Sequence, residues 1–89
     1  MTVKREKLEL IFDILRVLSA GSLKKTHIMY KANLSPQMLE DYLKELINKG
    51  FVIEKIEQDK KVYALTQLGF SYISEFRVVS SFMESFGLK

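Results

Sequence analysis

Residues 34–50 read LSPQMLEDYLKELINKG, a stretch that carries its own start, length and stop. The Ser35 hydroxyl is suited to accept a backbone N–H at a helix N-terminus. Pro36 follows at the first helical position, where a missing N–H costs nothing. Leu39, Tyr42, Leu43, Leu46 and Ile47 then recur at the three- and four-residue spacing that gathers them on one face. Gly50 supplies the stop. The pattern predicts a helix running from Pro36 to about Lys49. Opposite its apolar face lie Gln37, Asp41, Lys44 and Asn48, with Met38, Glu40 and Glu45 on the flanks. The outward face is mixed, with hydrogen-bonding amides and a lysine beside carboxylates that repel other anions. Glu40 stands four residues before Lys44, and Glu45 four before Lys49, the orientation that favours ion pairs along one helix.

Working outward, Ser22 is placed to cap a short helix over 23–31, with Ile28 and Met29 inward. Asn33 ends it and Leu34 packs in the connecting turn. A first helix is predicted over 5–19, closing at Ala20-Gly21. Downstream, FVIEKIE (51–57) and KVYAL (61–65) are β-branched and aromatic runs around QDKK (58–61). They predict a hairpin whose small charged turn holds Lys60 and Lys61. Thr66 caps a last helix that extends to about Phe86.

The totals fit one globular domain. The chain has 89 residues, 47% hydrophobic and 28% charged, and no cysteine, so disulfides and thiolate metal sites are excluded. A core this small gains from a second copy. Glu9 and Asp13 interrupt the apolar run that follows the basic start, and no signal-peptide cleavage site follows. No stretch of about 18 apolar residues is present, so no membrane span is expected. Cytoplasmic residence is the expectation. The net charge of +3 is compatible with a polyanion partner without demanding one.

Two closely spaced helices followed by a two-stranded hairpin is the order of a winged helix-turn-helix. The expected fold class is therefore mostly α with a small β-hairpin wing. The whole of 1–89 forms one domain, roughly 5–66 as the winged-helix core and 67–87 as a C-terminal dimerisation helix. The stretches THIMYKANLS (26–35), KG-F-V-I at the start of the hairpin, and VYALTQLG (62–69) resemble the archaeal winged helix-turn-helix domains. Within that group the chain resembles the small archaeal DNA-binding proteins whose last helix forms an antiparallel coiled coil in a homodimer. The likeness covers nearly the whole chain. It implies a cytoplasmic, non-enzymatic protein that binds double-stranded DNA, with the third helix in the major groove and the hairpin tip beside the backbone. The sequence departs from that pattern in carrying acids on the third helix, where relatives often have basic or small residues, and in its short last helix.

On the residues themselves, Gln37 and Asn48 suit adenine and Lys44 suits guanine. Asp41 points straight out between them, while Ser35 and Met38 open the helix. Lys24, Lys25 and His27 fall in the first turn of the second helix, where a helix-turn-helix meets a phosphate. Its free N–H groups add to the attraction. Lys31, Lys60 and Lys61 extend this basic patch. A lone histidine without cysteines or clustered acids makes no metal site. Neither a phosphate loop nor a nucleophile–base pair is present, so no cofactor and no catalysis are expected. The rival reading is a winged helix used as a protein–protein interaction module, for which the acids of the third helix speak.

For the dimer, Tyr72, Phe76, Val79, Met83 and Phe86 recur at spacings of four, three, four and three, a coiled-coil seam. The first helix has an apolar arc of roughly 220°, beyond what one covering layer needs. Leu10 and Ile14 are therefore expected to join the seam between two copies.

Overall fold

The computed structural model describes residues 6–88. The order is α1 (Lys7–Leu18), α2 (Lys25–Ala32), α3 (Pro36–Asn48), β1 (Val52–Glu57), β2 (Lys60–Leu65) and α4 (Gln67–Ser85). The expected start of the first helix at Arg5 lies outside the described residues.

The helix ends follow from local chemistry. The Ser35 side chain accepts the Met38 N–H at 3.2 Å, with Pro36 in the first turn. At the other end Gly50 takes φ 85°, while Gly50 N–H donates to the Ile47 carbonyl and Phe51 N–H to that of Leu46. This is the six-to-one and five-to-two pairing that satisfies the last free carbonyls. Asn33, left-handed at φ 55°, repeats the device at the end of α2. Asparagine reaches this region more easily than most residues.

Two local expectations need correction. Ser22 does not cap α2, whose N-cap is Lys24. Leu23 is drawn instead into an isolated bridge with Tyr63, bonded in both directions at 3.0 and 2.9 Å. β2 is thus flanked by β1 on one side and Leu23 on the other. The hairpin turn is also tighter than expected. Gln58 and Asp59 both adopt positive φ, 50° and 62°, and Glu57 faces Lys60. A two-residue turn of this hand suits the twist of the paired strands, and it makes Lys60 and Lys61 strand residues.

The core lies between α1, α3 and the ends of the other elements. Ile14, Leu15 and Leu18 of α1 are sealed against Ile28, Leu39, Leu43, Leu46, Val52, Tyr63 and Ile73. Tyr42 and Ile47 of α3 are partly buried beside them. Leu10 and Ile14 belong to this core, Ile14 with no exposure at all. The expected dimer seam through these two is therefore filled within a single chain. Phe12 does the same for part of α4, its ring stacking on Phe76 at 4.3 Å. Tyr72 stacks on Phe76 in turn and meets Phe51 edge-on. The Tyr72 hydroxyl is buried without a hydrogen-bond partner among the described residues, and burial pushes its pKa up.

α4 is fastened where it begins. Thr66 accepts the Gly69 N–H on its hydroxyl oxygen, donates that hydroxyl to the Gly50 carbonyl at 2.6 Å, and sends its backbone N–H to the Phe51 carbonyl. The end of α3 and the start of α4 are thereby locked together. Beyond this anchor, Val78, Val79, Phe82 and Phe86 are all more than half exposed.

Candidate nucleic-acid interface

The outward face of α3 carries Gln37, Asp41, Lys44 and Asn48, with Met38 beside them, all exposed as the spacing requires. Ser35 sits at the head of this helix, where its oxygen serves the helix itself. His27 and Lys31 are exposed on α2.

The acids of α3 are each held. Glu45 accepts from Lys7 at 2.9 Å and from Lys49 at 3.4 Å, which lashes α3 to α1. Asp41 accepts from the Gln37 amide at 3.0 Å. Glu40 pairs with Lys25 of α2 at 2.5 Å, not with Lys44 as the helical spacing suggested. Lys25 starts α2 with its ammonium 5.9 Å from the centre of the Tyr63 ring. At that distance the ring face adds a weak cation–π attraction to the ion pair. Each member of the pair shifts the other: Lys25 holds the Glu40 pKa low, and Glu40 holds that of Lys25 high. The Glu45 pKa is likewise low, chiefly through the hydrogen bond from Lys7.

The basic groups divide in two. Lys25 is tied to Glu40, and Lys61 to Glu54 across the hairpin at 3.3 Å. Lys24 has a different neighbour. It approaches Lys60 of β2 closely enough that the second ammonium holds the Lys24 pKa below its ordinary value. Like charges near one another at the surface repel, and an anion bound beside them would relieve that repulsion. Lys24 precedes the free N–H groups of α2, so the helix dipole favours the same anion. Sequence reasoning named both lysines but not their meeting. Neither spacing nor periodicity signals a contact made only when the hairpin folds back on α2.

The described residues include no group of three or more metal-ligating side chains and no helix long and apolar enough to cross a membrane. A groove between α1 and α4 is walled by Leu8, Phe12, Tyr72, Phe76, Val79 and Met83, the last four of which belong to the expected dimer seam.

Comparison with known proteins places this geometry. A solved structure of Sso10a-2, described as a DNA-binding protein from Sulfolobus solfataricus, superimposes with a TM-score of 0.79 at 27% identity, over 92% of this chain and 85% of that one. Two uncharacterised Methanocaldococcus jannaschii proteins are similar in sequence. MJ0287 is 41% identical over 66 residues, 74% of this chain and 64% of its own length. MJ0290 is 40% identical over 68 residues, 76% of this chain and 30% of its own length. The chain thus spans less than two thirds of either curated relative. The family description winged helix-turn-helix matches residues 4–84. With its helix-turn-helix, its hairpin and that match over most of its length, the chain belongs to the winged helix-turn-helix family.

Proposed function

We propose that this protein binds double-stranded DNA, with α3 in the major groove and the α2 N-terminus and hairpin against the backbone, and that it regulates transcription or organises chromatin as a homodimer. The observation that carries the reading is the Leu23–Tyr63 bridge, which sets the start of α2 and its Lys24 beside the strand that bears Lys60 and Lys61, next to the exposed face of α3. The DNA-binding description of the similar Sulfolobus protein supports it. The intramolecular partners of Glu40 and Glu45 reduce the repulsion that favoured an interaction module without DNA.

An electrophoretic shift with a mixed-sequence duplex at low salt tests the reading. A retarded complex is expected, and its absence would leave the interaction module as the better account. Placement of α3 has a separate test. Asp41 lies between Gln37 and Lys44 on the outward face, so Asp41→Asn is expected to tighten non-specific binding severalfold by removing a charge facing phosphate. Unaltered affinity would mean that α3 does not enter the groove.

The homodimer rests on the distal half of α4. Val79 and Phe86 of the seam stay in water, joined by Val78 and Phe82, with Phe82 and Phe86 rings 4.7 Å apart. Tyr72, Phe76 and Met83 are partly covered. Four large apolar side chains exposed along one helix favour such an interface, and two copies would present two α3 helices to one two-fold site. Phe82→Glu leaves the monomer core untouched, so it is expected to sediment as a 10.4 kDa monomer while the parent sediments at twice that mass. A monomeric parent at micromolar concentration would refute the dimer.

A further inference from the structure

Glu40 occupies an unusual place for an acid in a protein that meets phosphates. It is exposed on α3, yet lysines from three different elements surround it. Lys25 of α2 bonds it directly at 2.5 Å. Lys44, one turn along α3, and Lys61 of the hairpin add their fields. These are the three elements that flank a backbone running past a helix-turn-helix and its wing. A carboxylate among them stands where a phosphate oxygen would be expected.

We infer that Glu40 is a built-in phosphate mimic that sequesters Lys25 and thereby limits DNA affinity until a real phosphate takes its place. The inference rests on the DNA-binding reading and deepens it, because it says which residue sets the strength of the grip. In free protein the Glu40 carboxylate satisfies Lys25. When DNA arrives, a phosphate oxygen must compete with that carboxylate for the same ammonium, so Lys25 contributes less than an unpaired lysine. The arrangement favours DNA whose backbone comes close enough to win the exchange. It disfavours polyanions held only at a distance. Among the described residues no carboxylate acts on Lys24, which leaves it, with Lys60, as the first point of attachment.

The experiment compares the parent, Glu40→Gln, Lys25→Gln and the double variant for binding to one mixed-sequence duplex across a salt series. Glu40→Gln is expected to bind about tenfold tighter at low salt, with a log–log slope steeper by about 0.9 per protomer, as Lys25 gains a phosphate. In the Lys25→Gln background the same change is expected to leave the slope unaltered, because the released lysine is absent. That non-additivity marks the two residues as one unit. Glu40 is exposed and glutamine keeps a hydrogen-bonding side chain. Thermal melting of each variant near the parent's midpoint shows that folding is not the cause. Parental affinity and slope in Glu40→Gln would overturn the inference, since Glu40 would then lie off the DNA path. Weaker binding by Glu40→Gln would also overturn it, because the pair would then be positioning Lys25 rather than withholding it. Absence of binding by both the parent and Glu40→Gln at every salt concentration would instead refute DNA binding itself, and the inference with it.

Discussion

Converting Lys24 and Lys60 together to alanine is expected to weaken DNA binding about a hundredfold at low salt. For an exposed lysine a charge-assisted hydrogen bond to phosphate contributes about a factor of ten in affinity. Two such contacts on one phosphate give roughly that loss. The log–log dependence on salt is expected to flatten by about 0.9 for each bound protomer, since the two lysines neutralise one phosphate between them. The loss should be nearly the same for every duplex sequence, since phosphates carry no base identity. Thermal stability should not fall with affinity, because the substitution removes a like-charge approach, reported by the lowered Lys24 pKa, from the folded state. A double variant that binds with parental affinity and slope would mean that the backbone runs elsewhere.

Gly69→Ala is expected to cost about 2 kcal/mol of stability. A Cβ at this position would stand 2.4 Å from the Phe51 carbonyl oxygen and 2.9 Å from a Leu65 methyl. The methyl can rotate away, but the carbonyl cannot, because it accepts the Thr66 N–H and its residue closes the end of α3 through the Phe51 N–H. Relief therefore requires α4 to lift from the end of α3. Overpacking of this kind costs about 1–3 kcal/mol. Alanine returns up to about 1 kcal/mol in helix propensity, and backbone crowding puts the gross cost at the high end. For a domain of this size the melting temperature should fall by about 8–16 °C. A melting temperature equal to or above the parent's would show that α4 slides freely over Phe51, and the described lock would be wrong.

Much of this fold was legible because its punctuation is local. Ser35-Pro36 and Gly50 bound α3, Asn33 ends α2 and Thr66 starts α4, each through bonds made within a few residues. The exposed face of α3 followed from periodicity alone. What escaped was set by tertiary placement. Leu23 reads as the start of a helix, yet the unpaired edge of β2 captures it. QDKK lacks the asparagine-glycine signature of a two-residue turn, so its residues alone point to a longer turn that includes Lys60 and Lys61. The apolar surplus of α1 was real, but Phe12 met Phe76 inside the same chain rather than across a dimer. The partners of the acids were the largest gap. Helical spacing names Lys44 for Glu40, whereas the fold delivers Lys25 from α2 and Lys7 from α1 to the acids of α3.

On the proposed function, this winged helix-turn-helix grips DNA through its phosphates. The most direct test is the affinity of the unmodified protein for a mixed-sequence duplex, measured by fluorescence anisotropy across a salt series. With the Lys24–Lys60 pair of each of two protomers neutralising one phosphate, a straight log–log line with a slope of about −1.8 or steeper is expected. No binding at any salt concentration, or binding that does not change with salt, would contradict the claim.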